Sequence, residues 1–217
     1  MTVCVATMFG KTEKQPPTII GACDRLLSSD VHKSQPSTKI YATASKSLVF
    51  MIAGDPALER ELLGEVGATS WAWEAANPGK LWPLKKVADA YRICYAEAKR
   101  KRVEAKWLIP SGLNSSTFVS RNRELATEFA RDLRADIDRY SLNRVETIIA
   151  GVDDSGPHLY VAENGEIDDR TAEACAAIGA GAIHAISELA IAEHTIEAPF
   201  PAAILSTYAA KKRAELA

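Results

Sequence analysis

Four short stretches within the first 55 residues of this 217-residue chain contain residue types that could do chemistry. Together they supply a hydroxyl, a carboxylate, an ammonium group and a glycine, which suit nucleophilic attack, charge stabilisation and close approach of the backbone. They are residues 2–5 (Thr-Val-Cys-Val), 22–25 (Ala-Cys-Asp-Arg), 38–41 (Thr-Lys-Ile-Tyr) and 52–55 (Ile-Ala-Gly-Asp). Some of these residues also have a structural interpretation: Asp24 and Lys39 can form an ordinary, partly exposed ion pair that contributes little to stability, and Gly54 can mark a turn from a strand into a helix.

The cysteines, histidines and later glycines indicate no metal or cofactor site. The chain has Cys4, Cys23, Cys94 and Cys175, together with His32, His158, His184 and His194. The cysteines lack a Cys-x-x-Cys pair and a histidine at ligand spacing, so free thiols are expected. Gly179 and Gly181 precede a predicted helix but lack the third glycine of a dinucleotide-binding loop. We therefore predict neither a metal nor a cofactor.

The composition narrows the class of protein. With 47% hydrophobic and 25% charged residues, it is that of an ordinary globular chain and excludes disordered and collagen-like chains. A net charge of −2 supplies no positive field for nucleic acid or an anionic membrane. The basic run at residues 99–102 lies between Glu97 and Glu104 on a predicted amphipathic helix, which is typical of a solvated helix face. Nucleic acid and membrane are therefore not expected as partners.

The apolar segments predict neither a membrane span nor an export signal. No apolar run reaches the roughly 18 residues that a membrane-spanning helix needs. The start of the chain has neither a basic segment nor a long apolar one, which a secretory signal would require. We expect a cytoplasmic protein.

The elements that must position the four stretches alternate between strand-rich and helix-rich regions. Apolar runs and turn residues predict strands at residues 2–9, 17–23, 39–43, 47–53, 147–152 and 158–162. A helix is predicted from Asp55, an N-cap followed by proline, to about Val66. Further helices are predicted at residues 84–107, 121–140, 171–194 and 201–216, with residues 71–83 and 109–120 irregular. Antiparallel hairpins in this order predict a layered α+β sandwich and not a doubly wound parallel sheet.

In this order and at these distances, the four stretches resemble the β-type proteasome subunits and their bacterial relatives, which are N-terminal nucleophile hydrolases. Residues 150–160 resemble the central hairpin of that family, and residues 176–181 (Ala-Ala-Ile-Gly-Ala-Gly) resemble its glycine motif before a helix. The resemblance covers about residues 2–55 and 145–213. It implies one domain over residues 1–217, a four-layer α/β/β/α sandwich of antiparallel sheets with a long helical insertion at about 67–144.

The resemblance also implies a threonine-type peptidase or amidohydrolase. Removal of Met1 would give Thr2 a free α-amine, whose ordinary pKa of roughly 8 makes it a base for its own hydroxyl. By the same resemblance, Lys39 would stabilise the alkoxide, and Asp24 would keep Lys39 protonated and oriented. The Gly54 amide would form the oxyanion hole.

Substrate and assembly follow from the same resemblance. Ile52 would line the pocket for the residue before the scissile bond of a peptide or small amide substrate. Family members work as rings, and the tryptophans around the inserted region need partners to bury them, so we predict a homo-oligomer. These tryptophans are Trp71, Trp73, Trp82 and Trp107.

Two alternatives to a threonine hydrolase stay open. A catalytically inert relative that serves as an assembly or scaffold protein is favoured by Ala180, because active members usually have a serine there. The position of a supporting aspartate also falls near Ala214. A small-molecule-binding module that uses a cleft between the sheets is the third class. Cys4, on the same strand face as Thr2, is either a competing nucleophile or a buried thiol.

Overall fold

A computed structural model describes residues 3–12, 17–24, 27–28, 33–34, 38–43, 47–121 and 124–217. Within these ranges the strands are β1 (Cys4–Phe9), β2 (Thr18–Cys23), β3 (Leu27–Ser28), β4 (Lys33–Ser34), β5 (Ile40–Ala42), β6 (Leu48–Gly54), β7 (Val145–Asp153), β8 (Gly156–Glu163), β9 (Glu166–Asp169) and β10 (Cys175–Ile178). The helices are α1 (Pro56–Ala76), α2 (Leu84–Val103), α3 (Ser115–Ser120), α4 (Thr127–Arg139), α5 (Ala182–Ile191) and α6 (Phe200–Leu216). A π-helical segment, Glu104–Leu108, and a 3₁₀ turn, Ile109–Ser111, continue α2.

The strands form two antiparallel sheets in a mixed α+β architecture. The smaller sheet has the order β10-β1-β2, and the larger has the order β5-β6-β7-β8-β9, while β3 and β4 pair with each other. The hairpins predicted from turn residues are confirmed: β1 pairs with β2, β5 with β6, and β7 with β8, all antiparallel. In the first hairpin, Cys4 lies opposite Cys23 and Phe9 opposite Thr18.

Three clusters of buried apolar side chains define how the sheets and helices pack. One cluster joins the inner faces of the sheets, from β1 and β10 on one side and β6, β7 and β8 on the other. A second lies between the larger sheet and helices α1 and α2, and a third lies between β1 and helices α5 and α6. Every residue of β1 is buried, because one face of the strand meets the larger sheet and the other meets helices.

The helices between β6 and β7 differ in length from those predicted. Helix α1 continues to Ala76 instead of ending near Val66, because its buried face extends through Ser70 and the half-buried Trp73 at helical spacing. The prediction of an irregular connection from residue 71 is therefore wrong as far as Ala76. Residues 109–120 also contain the helix α3, which begins where Asn114 and Thr117 form a capping box.

The predicted single helix over residues 121–140 is also wrong at its start, since α4 spans only Thr127–Arg139. Its buried residues are Ala130 and Leu133, and Leu133 forms a small separate cluster with Leu108 and Leu113. The assignment of residues 67–144 as an insertion into a single domain stays a prediction.

The alanine-rich segment near the C-terminus contains a strand where a helix was predicted. Residues 175–178 form β10, which pairs with β1 and directs Ala176 and Ile178 into the cluster between the sheets. Tertiary pairing overrides the helix propensity of alanine here. Helix α5 starts only at Ala182, after Gly179 has taken a φ of 90°. None of the helices in the described ranges is long and apolar enough to cross a membrane.

Replacing Gly151 with alanine should destabilise the protein. A Cβ at this position in β7 would lie 2.3 Å from the carbonyl oxygen of Ser47, so the strands would have to move apart. We expect the free energy of unfolding to fall by about 1–3 kcal/mol. Urea denaturation measures the change.

Gly64 provides the matched control because its added Cβ would meet no atom within 4 Å. It is exposed within α1, so Gly64→Ala should raise the free energy of unfolding by about 1 kcal/mol. Equal effects of the two substitutions would contradict the close approach of the strands at Gly151.

Candidate functional site

A buried ion pair lies where the two sheets meet near the start of the chain. The Lys39 ammonium donates to Asp24 Oδ1 at an Nζ–Oδ1 distance of 2.8 Å. Asp24 is 3% exposed and Lys39 is 5% exposed, so this is not the partly exposed pair of the structural interpretation. The same carboxylate oxygen accepts the backbone N–H of Val3 at 3.0 Å. Asp24 therefore connects the ammonium group to the residue that precedes β1.

Backbone pairing places both charged residues at strand ends. Asp24 directly follows β2, and its N–H donates to the Val3 carbonyl oxygen at 3.1 Å. Lys39 directly precedes β5, and its carbonyl oxygen accepts the N–H of Ile52 in β6 at 3.0 Å. One partner thus extends the smaller sheet and the other extends the larger one. The ion pair spans the gap between the sheets.

Thr2, the predicted nucleophile, lies outside the described residues. The structure brings Asp24 into contact with Val3, the next residue in the chain, and Lys39 into contact with Asp24. The catalytic roles of these three residues stay predictions.

Gly54 lies at the turn from β6 into α1, in a conformation that excludes other residues. Its φ is 124°, and a Cβ would lie 2.1 Å from the carbonyl oxygen of Arg144. Asp55 then caps α1 by accepting the N–H groups of Ala57 and Leu58 at 2.7 and 3.2 Å. A hydrogen bond from Asn143 lowers the pKa of the Asp55 carboxyl. Gly54 is exposed, and its role as an oxyanion-hole donor stays a prediction.

Ile52 and Cys4 are both buried near the ion pair. The Ile52 side chain belongs to the cluster between the larger sheet and α1 and α2, and its role in a substrate pocket stays a prediction. The Cys4 thiol donates to the carbonyl oxygen of Ile52 at 3.5 Å. Cys4 is fully buried, which favours the buried thiol over the competing nucleophile.

Glu146 is a buried carboxylate that the sequence analysis did not single out. It lies opposite Ala53 in the sheet, accepts the N–H of Gly179 at 2.6 Å and forms an ion pair with Arg144. It therefore anchors the glycine turn close to the end of β6. The sequence feature that could have identified Glu146 is the alternation of side chains along a strand. Because β7 starts at Val145, Glu146 lies on the same face of the strand as Ile148.

The glycine turn that Glu146 holds also packs against α6. A Cβ on Gly181 would lie 2.8 Å from the Cβ of Ala214, so a glycine is required for this contact. Ala180 is exposed at the tip of the turn. A side chain at position 180 could therefore be lengthened without meeting a packed neighbour in the turn.

Glu59 in the first turn of α1 is a second buried carboxyl that was missed. It is 7% exposed, and its Oε1 has no hydrogen-bond partner among the described residues. Burial raises its pKa, while the Tyr41 hydroxyl and the charge of Lys39 act in the opposite direction. The sequence feature that could have identified Glu59 is its position between the apolar residues Leu58 and Leu62 of the helix.

The tryptophans are mostly covered within the chain. Trp82 is buried, Trp73 packs against the cluster under α1 and α2, and Trp107 makes an edge contact with Tyr140. Trp71 alone of the four is largely exposed, at 75%. The homo-oligomer stays a prediction, but most of these rings do not need a partner chain to cover them. Among the described residues, no cluster of His, Cys, Asp or Glu could hold a metal ion.

Replacing Glu59 with glutamine should stabilise the protein at neutral pH. Because burial raises the pKa of the folded-state carboxyl, its ionisation costs stability as pH rises above the ordinary value of 4.5. We expect a gain of about 1–3 kcal/mol in the free energy of unfolding at pH 7 and almost none at pH 4. Urea denaturation at both pH values measures it.

Glu65→Gln on the same helix is the matched control. Glu65 is exposed and pairs only loosely with Lys101, at 3.5 Å, so its replacement should change stability by less than about 0.5 kcal/mol at either pH. If Glu59→Gln stabilised the protein less at pH 7 than at pH 4, the pKa of Glu59 would be lowered in the folded protein and not raised.

Comparison with known proteins leaves the function to be argued from this geometry. No model of a known protein family matches the sequence. No curated protein matches it either. The case for a function therefore depends on the buried pair of Asp24 and Lys39, its contact with Val3 and the glycine turn at Gly54.

Proposed function

We propose that this protein is a proteasome-like threonine-type peptidase or amidohydrolase of the N-terminal nucleophile class, acting through Thr2 after removal of Met1. One observation carries the proposal. The buried Asp24 carboxylate accepts both the Lys39 ammonium and the N–H of Val3, the residue that follows Thr2. A buried amine that shares a carboxylate with the N–H of Val3 suits a mechanism in which the residue before Val3 is both nucleophile and base.

In the proposed reaction, the α-amine of Thr2 takes the proton of its own hydroxyl, and the oxygen attacks a carbonyl carbon. Lys39 stabilises the developing alkoxide, and Asp24 keeps the ammonium charged and oriented. The amide at Gly54 donates to the oxyanion of the tetrahedral intermediate. The leaving amine takes the proton, and water then hydrolyses the ester on Thr2.

The packing of the elements supports the same class. Helices cover the outer face of each antiparallel sheet, and the inner faces meet, which is the layer order that the resemblance implies. The four-layer α/β/β/α sandwich of the N-terminal nucleophile hydrolases is part of the proposal. The proposal also includes a peptide or small amide substrate and a homo-oligomeric assembly.

A catalytically inert assembly or scaffold subunit is the second candidate. The observation that favours it is the exposed Ala180, which supplies no hydroxyl at the tip of the glycine turn. A scaffold needs neither a free amine on Thr2 nor a charged Lys39. The two candidates therefore differ in processing and in nucleophilic reactivity.

Intact mass after treatment with an electrophilic, threonine-directed inhibitor separates the candidates. A hydrolase should have lost Met1 and should carry one inhibitor on Thr2, and Thr2→Ala should abolish both labelling and hydrolysis of a small amide. Thr18→Ala, an exposed threonine in β2, is the matched control and should leave labelling unchanged. Retention of Met1, or labelling that survives Thr2→Ala, would refute the mechanism.

Lys39→Ala should lower the rate by roughly 100- to 1,000-fold through loss of alkoxide stabilisation. Asp24→Asn should have a smaller effect if Asp24 only orients Lys39. Lys86→Ala, on the exposed face of α2, should leave the rate unchanged. Circular dichroism of each variant distinguishes lost activity from lost folding.

Ala180→Ser tests the glycine turn separately. The added hydroxyl should raise the rate of amide hydrolysis in protein whose N-terminus is Thr2 and should have no effect in unprocessed protein. The rate of amide hydrolysis is measured for processed and for unprocessed protein, and mass spectrometry verifies the N-terminus of each. A processed Ala180→Ser protein that stays inert would favour the scaffold.

A further inference from the structure

Two cysteines face each other across the first hairpin, beside the ion pair. Cys4 in β1 is the direct cross-strand neighbour of Cys23 in β2, and both side chains contact the cluster between the sheets. Neither thiol is in a disulfide. The pairing arises from the hairpin register and cannot be read from the sequence spacing.

The register puts these cysteines at a position where a disulfide fits. The Asp24 N–H donates to the Val3 carbonyl oxygen, so Val3 and Asp24 form a hydrogen-bonded pair. The next pair along an antiparallel ladder, here Cys4 and Cys23, is then non-hydrogen-bonded, with a typical Cα separation of about 4.5 Å. Disulfides span Cα separations of about 4.4–6.8 Å. Little backbone movement is therefore needed to join the two sulfurs.

The two thiols differ in access and in acidity. Cys4 is fully buried, whereas Cys23 is half-buried at the end of its strand. The interaction with the Cys23 thiol, together with burial, raises the pKa of Cys4, and the interaction with the Cys4 thiol lowers the pKa of Cys23 to about 7. The positive charges of Lys39 and Lys211 also lower the pKa of Cys23, whereas burial and the Asp24 carboxylate raise it.

We propose that Cys4 and Cys23 form a peroxide-reactive dithiol site, in which Cys23 is oxidised first and Cys4 resolves it to a disulfide. Cys23 is the half-buried residue of the pair and Cys4 the fully buried one, so hydrogen peroxide should react first with Cys23. The buried sulfur lies directly across the ladder from it. This inference does not depend on the proposed hydrolase activity.

The proposed steps balance in atoms and electrons. The Cys23 thiolate attacks one oxygen of hydrogen peroxide, the O–O bond breaks, and the products are Cys23 sulfenic acid and hydroxide. The Cys4 sulfur then attacks the Cys23 sulfur, the S–O bond breaks, and the hydroxyl group leaves as water with the proton of Cys4. Peroxide is reduced by two electrons, and the two thiols are oxidised to one disulfide.

The other two cysteines serve as internal controls. Burial raises the pKa of both Cys94 and Cys175. Cys175 lies opposite Thr7 in the β1–β10 ladder, and Cys94 lies on α2. Neither faces another cysteine in the described strand pairs, so neither has a resolving partner there.

The test is oxidation of the full chain with graded hydrogen peroxide, followed by peptide mapping without reduction. Wild type should lose two hydrogen atoms per chain, form a Cys4–Cys23 link and recover both thiols with dithiothreitol. Cys175→Ser should behave identically. At pH 7, iodoacetamide should alkylate Cys23 at least about tenfold faster than Cys175, because about half of Cys23 is thiolate at a pKa of about 7, whereas burial raises the pKa of Cys175.

Cys4→Ala removes the resolving thiol and should leave a sulfenic acid on Cys23 that a 1,3-dione traps. Cys23→Ala should leave Cys4 unreactive. Sulfinic acid on Cys23 of wild type without the link, a link between two chains, first oxidation at Cys94 or Cys175, or no oxidation would each overturn the proposal. The wild-type mapping decides the matter even if Cys4→Ala does not fold.

Discussion

The Asp24 carboxylate makes the contact on which the arrangement of the site depends. It accepts a backbone N–H from the start of the smaller sheet and an ammonium group from the edge of the larger one. Both charges are buried, and breaking a buried ion pair by removing one member typically costs about 3–5 kcal/mol of stability. The pair therefore fixes the relative position of the two sheets at the end where the chain begins.

Glycines allow two close approaches of the backbone at the ends of β6 and β10. Gly54 lets β6 turn into α1 against the carbonyl of Arg144, and Gly181 lets the turn after β10 touch α6. Glu146 joins these two regions, because it lies beside Ala53 and accepts the N–H of Gly179. Gly54 and Gly181 thus lie at positions where an added Cβ would collide with a neighbouring segment.

Local chemistry made the hairpins and the start of α1 predictable from the sequence, whereas longer-range pairing was not. The turn residues between β7 and β8 and the Asp55-Pro56 cap act within a few residues, and both were identified. Strand β10 was missed because its alanines favour a helix unless β1 pairs with them. Glu146 was missed for a related reason, since the predicted strand began one residue after it.

Part of the site could likewise be predicted from the order of residues along the chain, and part depends on which residues pair in the sheet. Asp24, Lys39 and Gly54 were found because their order along the chain resembles a family pattern, and the structure brings the first two together. The facing of Cys4 and Cys23 depends on which residues pair in the hairpin, and a shift of one residue would turn one thiol to the opposite face of the sheet. The backbone hydrogen bond from Asp24 to Val3 continues the same register, so the hairpin that carries Asp24 to the ion pair also aligns the two thiols.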